Sequence, residues 1–405
     1  MNQDDPAVAS AKGKGPGQNM SDAALAMAAA THSPAQSSPT TGFGTPIEAD
    51  CQVPAARRRC GTDAVLVLRR TVSPLLPLRH DSSQSVTNSV FEFPKENGRT
   101  YHGFRAGTYH FPNDPNETDR LDFQFEILKY CFSDRNYFAP LNNPKRILDV
   151  GTGTGQWAIE MGDEFPDAEV QATDLSPVQP VSVPENVHFF IDDASEEDWT
   201  LPSGYFDYIH TRVLLGCFTD FREIIRKGFY YTKPGGYMES QDIMSTPYCD
   251  DGTMPPDWPF SEWTQYGDDA AMEADRPMRI ANKFKRWYEA AGFVDVQEKV
   301  FKLPINGWPR DKHLKTLGVM SEENWMSGLS GLSMALFSRI LNWSKTEIEV
   351  YLVNVRKAIQ DKRVHAYHKV YVVWGRKPLT ATPGSGTATS AALGTATSAA
   401  PGTPV

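Results

Sequence analysis

Between residues 91 and 378 the apolar positions follow two alternating rhythms: short continuous runs, and stripes spaced three and four apart. The first rhythm suits a strand buried on both faces and the second a helix with one buried face. Arg146–Val150, Ala168–Leu175, Val187–Ala194, Phe206–Arg212 and Gly236–Ile243 read as strands, and Phe293–Leu303 and His368–Arg376 complete a set of seven. Gln156–Phe165, Asp220–Tyr231 and Arg276–Ala291 read as helices, the second stopped by Lys233-Pro234-Gly235-Gly236 and the third by Gly292. Strands alternating with helices predict a doubly wound α/β fold, a mostly parallel sheet covered on both faces. A helical insertion over about 308–365 precedes the last strand. Within it Ser344-Lys-Thr-Glu347 has the form of a capping box, and Ile348, Leu352, Val355 and Ile359 then share one helical face.

Neither rhythm reaches the ends. Residues 1–90 are rich in Ala, Ser, Thr, Pro and Gly, and 379–405 repeat Gly-Thr-Ala-Thr-Ser-Ala-Ala at Gly386–Ala392 and Gly394–Ala400. Such stretches lack the large apolar side chains that offset chain-ordering entropy, so a disordered arm (1–90) and tail (379–405) are expected around a single domain at 91–378. Residues 51–80 match neither flank in composition, as a gene-model artefact would, and carry no structural weight. A net charge of −10 argues against general nucleic-acid binding, and the run Arg57–Arg59 reads as a solvated stretch of the arm. The five cysteines show no metal-ligand spacing, which predicts reduced thiols in an intracellular protein and no metal site. No segment reads as membrane-spanning.

The chemistry concentrates at strand ends. Asp149-Val-Gly151-Thr-Gly153-Thr-Gly155 closes the first strand and opens a helix. A dinucleotide-binding fingerprint would need glycine at 156, where Gln156 stands, which disfavours a nicotinamide-dependent oxidoreductase. An acid two residues before the first glycine repels a pyrophosphate and suits a cationic ligand. Asp174 and Leu175 close the second strand, and a carboxylate there is placed to accept both hydroxyls of a ribose. Asp192, Asp193 and Ala194 close the third, in reach of an adenine amino group and ring nitrogen. All three ends converge on one crevice at the carboxyl edge of the sheet.

The order Asp149-x-Gly-x-Gly-x-Gly155, Asp174, Asp193-Ala194 resembles the class I S-adenosylmethionine methyltransferases. A closer resemblance, over about 99–376, is to the LaeA-like methyltransferases of filamentous fungi. It is carried by Tyr101-His-Gly-Phe-Arg105, Tyr109-His-Phe-Pro-Asn-Asp114, Phe206-Asp-Tyr-Ile-His-Thr-Arg212 and Lys233-Pro-Gly-Gly-Tyr-Met-Glu239. This resemblance implies a Rossmann-like fold, S-adenosyl-L-methionine as cofactor, and a place in secondary metabolism as regulator or tailoring enzyme. It puts the methionine moiety at Gly151, Gly153 and Gly155, the ribose at Asp174 and the adenine at Asp193 and Ala194, with Tyr109 contacting the carboxylate or the sulfonium.

Methyl transfer from a sulfonium is an in-line displacement that needs no metal, and it needs a base only when the acceptor must lose a proton. His210, near the carboxyl end of the fourth strand, is the candidate base. The acceptor is expected to be a small molecule or a protein, in a hydrophobic pocket built from Tyr248, Trp258 and Trp263 with the insertion's Trp308, Met320, Trp325, Met326 and Met334. A second reading keeps the fold and discards catalysis: a scaffold in a nuclear complex with a velvet-type partner. Nucleus and cytoplasm both stay open.

Overall fold

The computed structural model describes residues 88–379. The expected arm and tail, and the stretch 51–80, lie outside the described residues except for 88–90 and Leu379. A hairpin of β1 (Lys95–Glu96) and β2 (Arg99–Thr100) leads to helix α1 (Pro115–Cys131). Asp114 caps that helix by accepting the Glu117 amide at 3.2 Å, and Pro115 fills a first-turn position where no amide hydrogen is needed. Next come β3 (Arg146–Val150), α2 (Gln156–Glu164), β4 (Glu169–Asp174), β5 (Val187–Ile191), β6 (Phe206–Arg212), α3 (Phe221–Tyr231) and β7 (Thr232–Ile243). The chain ends through β8 (Tyr248–Cys249), α4 (Pro259–Glu273), α5 (Phe284–Ala291), β9 (Val294–Pro304), α6 (Lys312–Arg339), α7 (Lys345–Gln360) and β10 (Ala366–Arg376).

The large sheet runs β5-β4-β3-β6-β7-β10, with β8 and β9 both paired to β10. The neighbours from β5 to β7 are parallel, whereas β10 is antiparallel to β7, β8 and β9. The seven expected strands are all present, and the two-residue β8 adds an eighth. Three expected boundaries shift, the first being β5, which ends at Ile191 and leaves Asp192–Ala194 beyond it. The segment Arg276–Ile280 is not helical, since α5 starts only at Phe284, and Lys233–Gly236 belongs to β7 rather than to a break before it.

Alternation along β3 divides the core. Ile147 packs with Trp157, Met161 and Val170 under α2, while Leu148 and Val150 pack with Ile224, Ile225 and Phe284 under α3 and α5. The insertion's α6 and α7 form a third layer with α4, burying Trp263, Leu329, Phe337, Ile348 and Leu352 together. The capping box of α7 is formed: the Glu347 amide donates to Ser344 Oγ at 3.3 Å and the Ser344 amide to Glu347 Oε2 at 2.8 Å. Among the described residues no helix is long and apolar enough to cross a membrane. From β3 the chain winds outward to β4 and β5, then returns to β6 and β7 on the other side. Such a switch point leaves a crevice beyond the carboxyl ends of β3 and β6.

Candidate cofactor and acceptor site

The glycine turn after β3 is built on three left-handed residues, Gly151, Gly153 and Gly155, with φ of +68°, +59° and +85°. They are not equivalent. A Cβ on Gly151 would lie 2.5 Å from Leu214, and one on Gly155 2.5 Å from Phe189, so those two let the turn pack on its neighbours. A Cβ on Gly153 would meet only Leu121, at 3.8 Å, so the turn is open to a ligand at this point.

Asp174, at the tip of β4, ties the turn to the next strand. Its Oδ2 accepts the Gly153 amide at 2.8 Å and its Oδ1 the Ser176 amide at 2.9 Å, which leaves further lone pairs free toward the crevice. Burial pushes this carboxyl up from 3.8 to about 6, despite the amides of Ser176, Gly153 and Leu175 that favour its ionised form. Beyond β5, the Asp193 amide donates to Asp192 Oδ1 at 3.1 Å, and Asp193 Oδ1 accepts the Ser195 amide at 2.9 Å. The Ala194 carbonyl is held by Trp199 Nε1 at 3.0 Å and Lys227 Nζ at 2.8 Å.

Across these tips lies the segment 101–112. Arg105 pairs with Glu196, and Arg276 Nε donates to the Thr108 carbonyl at 2.9 Å, so both ends of the crevice hold the segment down. Tyr109 points inward from it, edge-on to Phe111 with ring centres 5.3 Å apart. Burial holds the Tyr109 phenol well above its ordinary range, so it stays a hydrogen-bond donor at neutral pH.

Beneath the turn, Asp149 and His210 are register partners on β3 and β6. His210 is 0% exposed, its ring stacks on Trp157 at 3.8 Å, and its Nδ1 lies 2.8 Å from Asp149 Oδ1. Burial lowers its pKa to about 4, outweighing the opposing pull of Asp149. Arg212, two residues on, was not singled out from the sequence as a site residue. Its Nε donates to Gln241 Oε1 at 2.8 Å and its guanidinium lies 5.3 Å from the Phe125 ring centre. The carbonyl of Asn136, between α1 and β3, accepts from both Arg212 and Trp157 Nε1.

Together these residues enclose a cavity of about 180 Å³, and the expected cofactor residues line it with one exception: Tyr109, Asp149, Gly151, Gly153, Asp174, Leu175, Asp192, Asp193 and Ala194 are on its wall, whereas Gly155 packs against Phe189 and is not. Arg276 lines it too, from the segment expected to be helical. A second cavity of about 110 Å³ adjoins the first, and Tyr109, Leu121, Gln124 and Val213 line both. Of the aromatic and methionine residues expected in an acceptor pocket, Trp263 and Trp325 are on its wall. Trp258 and Met334 are buried in the hydrophobic core of the insertion. Tyr248 and Trp308 stack elsewhere, on Tyr367 and His365. Met278, Leu336 and Phe337 line the pocket without having been expected there.

A family described as Methyltransferase domain matches residues 123–298. The methyltransferase pytC of Aspergillus terreus is 38% identical over 300 residues, covering 73% of this chain and 92% of that protein. This chain belongs to the LaeA-like methyltransferases. The secondary metabolism regulator LAE1 of Cochliobolus heterostrophus is 36% identical over 70% of this chain and 94% of its own length. The protein-methionine methyltransferase laeA of Emericella nidulans is 32% identical over 71% of this chain and 77% of its own. The LaeA-like methyltransferase is thus an enzyme whose methyl donor is S-adenosylmethionine. Its residues fit that donor: the cradle at Gly153 is one that a Cβ would narrow, and Asp174 brings a carboxylate to the same cavity wall.

The raised pKa of Asp174 gives a pH dependence. The folded chain holds a proton that the unfolded chain releases between 3.8 and about 6, so this group's contribution to stability falls as pH rises through that window. Ribose hydroxyls donate best to the ionised form. Affinity for S-adenosylhomocysteine is therefore expected to rise with pH through about 6 and then level off, as read by calorimetry from pH 5 to 8, with no such step in Asp174→Asn.

Proposed function

We propose that the chain moves a methyl group from S-adenosylmethionine in the first cavity to an acceptor in the second. The observation that carries this is their common wall of Tyr109, Leu121, Gln124 and Val213 beside the Gly153 turn. Gly151 and Gly153 take the methionine moiety, with Gly155 shaping their turn from behind, Asp174 and Leu175 the ribose, and Asp192, Asp193 and Ala194 the adenine. Tyr109 faces the donor's carboxylate or sulfonium, where a ring face or a phenol hydrogen has a charge to meet. The donor supplies a methyl carbon already activated by positive sulfur, so the chain's own residues align the partners and exclude water.

His210 is assigned a positioning role: a histidine with a pKa of about 4 is a weak base, and its Nδ1 is committed to Asp149. An acceptor that needs no deprotonation suits such a site. A thioether is one, in keeping with the protein-methionine methyltransferase of Emericella nidulans, and a small molecule with an activated nucleophile is another. Regulator and tailoring enzyme are both compatible with the relatives' names, and a velvet-type partner belongs to the regulator reading.

Calorimetry with S-adenosylhomocysteine tests the donor site, and no binding to the folded chain would end the proposal. His210→Ala is expected to weaken that binding about tenfold, the worth of one buried hydrogen bond to a charged group, while keeping the pH step that Asp174 carries. Should the step vanish in His210→Ala and persist in Asp174→Asn, the two roles are reversed.

A further inference from the structure

The second cavity is mostly apolar, walled by Ile243, Trp263, Met278, Trp325, Leu336 and Phe337. Its few polar groups are almost all committed to one another. Arg120 donates through Nε and Nη2 to Glu117, and through Nη1 to Gln124 Oε1 at 2.9 Å and Asn324 Oδ1 at 3.2 Å. Trp263 Nε1 donates to Ser333 Oγ at 2.8 Å, and Thr264 Oγ1 to the Ser261 carbonyl at 2.8 Å. The wall therefore presents no spare charge, and an ionised ligand group would be desolvated there without compensation.

Ser245 is the informative member of this wall. Its hydroxyl donates to Asp268 Oδ1 at 2.7 Å, and Asp268, only 2% exposed, is held through Oδ2 by Arg279. An ion-paired carboxylate accepts and does not donate, so the Ser245 hydrogen is fixed and only its oxygen lone pairs remain for the cavity. On the same wall, the Trp325 indole N–H is buried with no partner. A neutral group that both donates and accepts, a hydroxyl or an N–H next to an acceptor atom, suits such a wall.

We propose that the methyl acceptor is a small, largely apolar molecule that presents a hydroxyl or N–H to Ser245, which selects it on that ground. The inference rests on the second cavity being the acceptor site. A ligand with the right shape and no donor leaves the Ser245 oxygen desolvated and unpaired, and this penalty is the source of discrimination.

The full chain saturated with S-adenosylhomocysteine would be titrated by calorimetry with 1-naphthol and with 1-methoxynaphthalene. These probes share an aromatic frame and an acceptor oxygen, and a methyl group in the second replaces the donor hydrogen of the first; Ser245→Ala separates the effect of the lost donor from that of the added methyl. The expected result is about tenfold tighter binding of 1-naphthol. The preference should disappear in Ser245→Ala and survive in Ser245→Thr. Gly267→Leu, which grows a side chain into the cavity toward Met278, should abolish binding of both probes and leave S-adenosylhomocysteine binding intact. Equal affinities in the wild-type chain, a preference kept in Ser245→Ala, or naphthol still bound by Gly267→Leu would each overturn the proposal. Loss of S-adenosylhomocysteine binding by the wild-type chain would instead strike the donor site, so the two failures are separable.

Discussion

Glu117→Ala is expected to cost about 3–5 kcal/mol of stability, the usual penalty for stranding the partner of a buried ion pair. Glu117 and Arg120 are 3% and 7% exposed, and the guanidinium meets the carboxylate through Nε at 3.1 and 3.0 Å and Nη2 at 2.6 Å. The cation cannot turn to solvent, because α6 lies against it: a Cβ on Gly328 would come within 2.8 Å of Arg120 Cδ. Urea denaturation reads the loss, and a change below 1 kcal/mol would show that the pair is dispensable. The double variant Glu117→Ala/Arg120→Met should recover much of the stability, since an apolar replacement removes the stranded charge.

Asp174→Ala is expected to weaken S-adenosylhomocysteine binding about a hundredfold. Two hydrogen bonds to one ionised group are worth about 3 kcal/mol together, and each 1.4 kcal/mol is a factor of ten. The same change frees the Gly153 amide, so the turn also loses its tie to β4. Calorimetry at pH 8, where the wild-type carboxyl is ionised, gives the cleanest comparison. Affinity within threefold of wild type would remove Asp174 from the donor site. In a fungal strain carrying this variant, an unchanged metabolite profile would favour the scaffold reading over catalysis.

The parts that could be read from the sequence are those where backbone and chemistry coincide. The β3–β5 tips must carry Asp149, Asp174 and Asp193 to one place once the strands are parallel, and all three line one cavity. What escaped was polar and buried. α1 and α4 turn Glu117, Arg120, Thr264 and Asp268 inward, so neither shows the clean apolar stripe by which a helix is recognised. The acceptor pocket escaped for the opposite reason. Tryptophan and methionine fill cores as readily as they line cavities, and only packing separates Trp263 and Trp325 on the wall from Trp258 and Met334 in the interior. His210 stood at the expected place, but its titration was decided by Trp157 and full burial, which no spacing encodes.

Tyr109 touches both compartments and hangs from a segment that Arg276 fastens at Thr108. A side chain with two tenants makes their occupancies thermodynamically interdependent. Whatever factor a molecule on one side adds to or takes from the hold on its neighbour by moving that ring, the neighbour returns in equal measure.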